Sequence, residues 1–113
     1  MSQILRAWTF WIHAAIEEEC RSDVERMVLP RMRLAPGNQR ASVLLKDAGD
    51  GTVEVVVLSI WQSIDHIKAF AGPNYFQPTI PPSHLNKVFD KEPAVHHYAM
   101  NDIPPSFRGW TLS

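Results

Sequence analysis

The chain has 113 residues, a length that suits one domain with a single hydrophobic core. Apolar residues make up 45% and charged residues 20% of the sequence, a balance that excludes an intrinsically disordered chain. The formal net charge of −1 provides no electrostatic reason to expect a nucleic acid or an anionic membrane as partner. The only cysteine is Cys20, and neither a signal peptide nor an apolar span of ~20 residues is recognisable, so we expect a cytoplasmic protein.

The first predicted elements are a strand and a long helix. Aromatic and β-branched residues indicate a strand over residues 3–12, and apolar residues at helical spacing predict a helix from His13 to Leu29. The apolar stripe of that helix consists of Ile16, Cys20, Val24, Met27 and Val28. Because proline disfavours a helical conformation at the residue before it, Pro30 should end or bend this helix.

A β-hairpin follows. Apolar and polar residues alternate over most of residues 40–47, which predicts a strand with one face more buried than the other. Gly49-Asp50-Gly51 supplies the turn, since glycine adopts positive φ without strain. The valine-rich residues 52–61 have the strongest strand signal in the chain and form the third element of the sheet.

A second helix and a last strand complete the domain. Ser63 is the expected N-cap of the helix, and Gly72 is its expected end. Residues 94–100 form the last predicted strand. We expect one folded domain over residues 1–101 and a C-terminal tail over residues 102–113.

The element order βαββαβ predicts a ferredoxin-like α+β fold, with a four-stranded antiparallel sheet and helices on one face. The third strand is apolar on both sides. Val53, Val55 and Val57 point one way, whereas Val56, Leu58 and Ile60 point the other. Because two helices cover only one sheet face, we expect the other face to pair with a second copy, which gives a homodimeric α+β barrel. The alternative is that the C-terminal tail folds over this face.

Several segments carry a family likeness beyond this element order. They are the first strand, Leu29-Pro30, Ala35-Pro36-Gly37-Asn38, Val57 to Ser63, Ile67 to Gly72, and Glu92 to Tyr98. In these segments the chain resembles the antibiotic biosynthesis monooxygenase (ABM) superfamily of dimeric α+β barrels, over about residues 3–100. The Trp-x-Ser element that begins at Trp61 is the most telling. This superfold carries cofactor-free oxygenases of polycyclic phenols, haem-degrading enzymes and proteins of unknown activity.

The haem-degrading branch is similar to this chain only in part. Trp61 matches its tryptophan, but Trp8 or Thr9 stands where that branch has an asparagine on the first strand. The segment from Tyr75 to Ile80 has no histidine where that branch has one, and His84 comes four residues after the end of this segment. The resemblance therefore implies a cofactor-free protein that acts on a small flat hydrophobic or phenolic molecule, and not haem breakdown.

Such an oxygenase needs a dry pocket, a base and access for oxygen. His97 is the predicted catalytic base, because imidazole titrates near neutral pH and this residue lies in mid-strand. A core histidine bonded to a neighbour is the alternative. Trp61 is predicted to complete the catalytic site as a pocket wall, with a packing role as its alternative. Predicted ligand-binding residues are Trp8, Phe10, Tyr75, Phe76 and His84.

Other chemistries find less support in the residues. His96 and His97 are adjacent in a strand and point to opposite faces, so we expect no metal site. An RNA-binding module shares the βαββαβ order, but the third strand lacks its aromatic pair. Two function classes stay open: a cofactor-independent oxygenase or related isomerase or cyclase, and a non-catalytic ligand-binding or interaction module. The sequence does not decide whether the protein is an enzyme.

Overall fold

Four strands form one antiparallel sheet in the computed structural model, which describes residues 3–76 and 92–100. The strands are β1 (Gln3–His13), β2 (Asn38–Asp47), β3 (Thr52–Trp61) and β4 (Ala94–Met100). Their order in the sheet is β2-β3-β1-β4. The two most apolar strands therefore lie at the centre, where both of their edges are paired, and the prediction of a ferredoxin-like α+β fold is confirmed.

Helical structure between β1 and β2 continues further than predicted. It comprises a 3₁₀ turn (Ala14–Ile16), α1 (Glu17–Asp23), a π-helical turn (Val24–Val28) and α2 (Leu29–Leu34). The backbone N–H of Leu29 donates to the carbonyl of Val24, five residues back. Pro30 then falls in the first turn of α2, where the N–H that proline lacks is not needed for a hydrogen bond within α2. The wide π turn thus allows the chain to stay helical through the proline.

The π turn also explains why the predicted apolar stripe is wrong at Met27. Cys20 and Val24 are buried as expected, but Met27 is 62% exposed. A π turn holds more residues than an α turn, and it therefore changes which later side chains face the sheet. The buried face of the helical region continues instead through Leu29 and Met32.

The last described helix, α3 (Ile64–Ala71), begins and ends as predicted. The Ser63 hydroxyl accepts a hydrogen bond from the backbone N–H of His66 at 3.3 Å, which makes Ser63 its N-cap. Gly72 has a φ of 86° and its N–H donates to the carbonyl of Lys68 at 2.8 Å. Within the described ranges no helix is long and apolar enough to cross a membrane.

Both faces of the sheet are apolar, as the sequence predicts. The helix-side face carries Trp8, Phe10, Ile12, Val53, Val55 and Val57, which are buried against the helical region. Burial of each such side chain contributes about 1.5–3 kcal/mol to stability. The second face has four buried residues at its centre, with three partly buried residues packed against them. The central residues are Leu5, Ala7, Val56 and Leu58, and the rim residues are Leu44, Tyr98 and Met100.

Candidate functional site

A row of polar side chains crosses the otherwise apolar helix-side face of the sheet. The strand register places Ser59 of β3 and His97 of β4 directly opposite Arg6 of β1, one on each side. Cross-strand partners have Cβ atoms about 4.5–5.5 Å apart, so these three side chains are neighbours. We call Ser59, Arg6 and His97 the polar row.

Arg6 lies at the centre of the polar row and is only 5% exposed. Its Nε is buried and has no hydrogen-bond partner. Burial lowers the pKa of the guanidinium. On the helical region, Arg21 pairs with Glu18 and Arg26 pairs with Asp23, and neither pair involves Arg6. Among the described residues, no carboxylate therefore balances the charge of Arg6.

His97 occupies the end of the row beside the edge of the sheet. Its Nε2 is buried without a hydrogen-bond partner, and its ring meets the edge of Tyr75 at a centroid distance of 5.3 Å. Burial lowers the pKa of His97, and the charges of Arg6 and His96 lower it further. The imidazole is therefore neutral at physiological pH, which is the form that accepts a proton.

Aromatic side chains of the segment that follows α3 lie next to His97. Tyr75 contacts both His97 and Phe76, the latter at a centroid distance of 5.6 Å. The ammonium of Lys68 lies 5.7 Å from the centre of the Tyr75 ring, where the π electrons attract it. Phe76 is 56% exposed. This aromatic wall joins the predicted base to two of the predicted ligand-binding residues.

Trp61, the other predicted catalytic-site residue, lies apart from His97. It is fully buried and packs against Phe70 at a centroid distance of 5.2 Å. Its indole N–H donates to the Ser59 hydroxyl at 2.8 Å. Two strand spacings separate the backbones of β3 and β4, which is roughly 10 Å. Trp61 therefore orients Ser59 within the polar row and is not a direct neighbour of His97.

The remaining predicted ligand-binding residues differ in their surroundings. Trp8 lies next to Arg6 on the helix-side face, and its Nε1 is buried without an acceptor. Phe10 is 2% exposed and packs against Trp8 at a centroid distance of 5.0 Å, deep in the core. His84 lies outside the described residues.

Sequence reasoning missed two members of the polar row, Ser59 and Arg6, of which Arg6 carries the charge. The available signal was a charge at an inward position of an apolar strand, two residues before Trp8 and on the same face. Strand alternation alone would place this arginine against the core. Only the register shows that a histidine, and no acidic residue, stands beside it.

Two further features help to define the site. Among the described residues, no group of three or more His, Cys, Asp or Glu side chains is placed to hold a metal ion. An open hollow of about 320 Å³ at the β2 edge contains none of the predicted site residues. It is lined by Arg33, Asn38, Gln39, Arg40 and Ala41. The polar row is therefore the stronger candidate.

A solved structure has the same fold as this chain. The chain is similar to the crystal structure of a Bacillus cereus protein named as a candidate antibiotic biosynthesis monooxygenase, with a TM-score of 0.60. The similarity covers 90% of this chain and 94% of that chain, at 20% sequence identity. No protein-family model matches the sequence, and no curated protein is found as a relative. The comparison establishes a shared fold, and a shared fold does not imply a shared activity.

Proposed function

We propose that this protein is a cofactor-independent monooxygenase-like protein that acts on a small, flat phenolic molecule beside the polar row. The observation that supports this most is the buried Nε2 of His97, which has no hydrogen-bond partner. Burial also lowers the pKa of this imidazole, which favours its basic form. Aromatic side chains beside it, Tyr75 and Phe76, suit a flat ligand. The shared fold with the Bacillus cereus protein is consistent with this chemistry.

The chemistry needs one base and molecular oxygen. His97 accepts a proton from a phenolic O–H or an activated C–H of the substrate, which leaves an electron-rich anion. The anion passes electrons to oxygen, and a peroxide forms at the activated carbon. Loss of water from this peroxide leaves a carbonyl group. For an anthrone the balance is CH₂ plus O₂ giving C=O plus H₂O, so the substrate supplies all the electrons.

Oxygen uptake without added cofactor tests this proposal, with a panel of anthrones, hydroquinones and phenols that includes phenolic acids. His97→Gln should lower kcat by about 10²- to 10⁴-fold, because it removes the general base. His96→Gln is the matched control, since His96 is exposed and lies on the opposite face of the same strand. This control should stay within about twofold of the natural protein, as surface substitutions usually do.

Absence of uptake from every substrate, with protein that is folded, would overturn the oxygenase proposal. Binding of the same molecules without turnover would identify a ligand-binding module of the same fold. Equal losses in the two histidine variants would show that a general charge effect, and not a base at His97, limits the rate.

The pH profile should report the lowered pKa of His97. Its ordinary value is 6.5, and burial, Arg6 and His96 all shift it downward. The basic form therefore persists below pH 6.5, so kcat/KM should stay level across neutral pH and fall only as the pH drops through the lowered pKa. If kcat/KM already declines above pH 7 as the pH is lowered, His97 is not the base. Measurement of kcat/KM from about pH 5 to 8 decides this, because that ratio reports the free enzyme.

A further inference from the structure

We propose that Arg6 binds a carboxylate group carried by the phenolic ligand of this site, so that the ligand is an aromatic acid and not an uncharged phenol. The inference deepens the proposed function, on which it rests for the aromatic character of the ligand. It gives a role to the buried guanidinium of Arg6, which takes no part in the base chemistry of His97.

The first argument is the missing counter-charge. Arg6 is 5% exposed and its Nε lacks a partner, and no described acidic side chain forms an ion pair with it. A buried charge without a partner strongly destabilises a fold, and buried arginines are normally paired. A ligand that carries one negative charge would supply the missing partner.

The second argument is the set of hydrogen-bond donors around Arg6. The indole N–H of Trp8, the next residue on this face, is also buried without an acceptor. The Ser59 oxygen already accepts from Trp61, which leaves the Ser59 O–H free to donate. Around Arg6, the described side chains of the helix-side face therefore supply hydrogen-bond donors and no carboxylate, an arrangement that suits a ligand carboxylate with its several lone pairs.

The third argument selects a carboxylate among anions. A guanidinium presents parallel N–H groups in a planar fork that matches the two oxygens of a carboxylate. The one positive charge of Arg6 balances a monoanion and leaves a phosphate dianion partly uncompensated. The neighbouring rings of Trp8 and Tyr75 favour an aromatic body for the same ligand. A carboxylate held by Arg6 would place that body beside His97.

Binding of 1-hydroxy-2-naphthoate and of its neutral amide tests the proposal by titration calorimetry, with no turnover required. The natural protein should bind the carboxylate at least about 10-fold more tightly than the amide, as charge-assisted hydrogen bonds predict. Arg6→Met should abolish this preference, with a loss of about 10- to 100-fold for the carboxylate and little change for the amide. Arg26→Gln, which removes one surface charge, should keep the preference. Inorganic phosphate should not compete.

Thermal unfolding without ligand separates a binding role from a structural one. Arg6→Met should unfold at the same temperature as the natural protein or higher, since it removes an unpaired buried charge. The carboxylate should raise the melting temperature of the natural protein only. Equal affinity of the natural protein for the carboxylate and the amide would overturn the proposal, even if Arg6→Met does not fold. Carboxylate preference without oxygen uptake would support the role of Arg6 while the oxygenase proposal fails.

Discussion

A guanidinium inside a protein needs a partner, and Arg6 has none among the described residues. Burial lowers the pKa of its neighbour His97, and the charge of Arg6 lowers it further. The two residues thus have different roles that follow from one environment: His97 is available as a base, and Arg6 is available to an anion. Their proximity gives a physical reason for testing them separately, since removing Arg6 should also raise the pKa of His97 towards its ordinary value.

Cys20 illustrates the opposite case, a reactive group made inert by its surroundings. Burial raises the pKa of its thiol to about 11, and the charges of Asp23 and Glu19 add to the shift. The thiolate fraction at neutral pH is therefore roughly 100-fold below that of an ordinary cysteine, and the thiolate is the reactive form. We expect an aromatic disulfide reagent to react at least about 100-fold more slowly with the native protein than with the urea-unfolded chain. Because Cys20 is the only cysteine, the colour change reports this site alone, and equal rates in the two states would contradict its burial.

At the scale of elements, Gly37 joins the start of β2 to the first turn of α3. Its φ is 84°, and a Cβ at this position would lie 2.2 Å from Cγ of His66. Its carbonyl accepts a hydrogen bond from the backbone N–H of Gln62 at 2.8 Å. The close approach fixes α3 against the sheet beside β3, and α3 leads directly into the aromatic wall. Glycine is needed here for space as well as for backbone conformation.

Gly37→Ala should therefore lower the free energy of unfolding by about 2–4 kcal/mol, from backbone strain and from overpacking. Gly49→Ala is the matched control, because its φ of 85° is similar but nothing lies within 4 Å of the added carbon. That control should lose only about 1 kcal/mol. Urea denaturation measures all three proteins. In a double variant, His66→Ala should recover part of the loss at Gly37, and strictly additive losses would show that the contact with His66 is not the cause.

For the whole molecule, the open question is whether two chains pair. The prediction of a homodimer assumed that the second face is bare, but Leu5, Ala7, Val56 and Leu58 are no more than 4% exposed in the single chain. The described helices lie on the opposite face, against the other apolar cluster. Two-fold pairing would therefore have to bury the partly exposed rim residues, Leu44 on the β2 edge and Met100 on β4. We keep the homodimer as a proposal on that narrower basis.

Sedimentation velocity decides between the two states, since one chain has a mass of 12.9 kDa and a pair has twice that. If the rim of the second face forms the contact, Leu44→Glu should dissociate the pair by burying an unpaired charge. Leu34→Glu is the control, because Leu34 is 86% exposed at the end of α2. A natural protein that sediments as a single chain at all concentrations would exclude pairing and favour closure of this face within the chain.

The sequence by itself determined the kinds of element and their order, because these depend on local signals. The valine-rich composition of residues 52–61 predicted β3 with its exact limits, and Ser63 and Gly72 predicted both ends of α3. The predicted break at Pro30 was incomplete, because a π turn can accommodate a proline without ending the helical region. The prediction placed Met27 on the buried face, but this residue is exposed, because the π turn changes the spacing of the side chains that face the sheet.

Only the tertiary structure decided which side chains form the site. Arg6, Ser59 and His97 are far apart in the chain, and they become neighbours through the pairing of three strands in one register. A shift of that register by one residue would exchange the two faces of a strand. Local patterns place Arg6 on an inward face, but they do not show whether an acid, a histidine or a serine lies opposite. That no described carboxylate pairs with Arg6, on which the proposed anion site depends, is therefore a property of the assembled sheet and not of any segment alone.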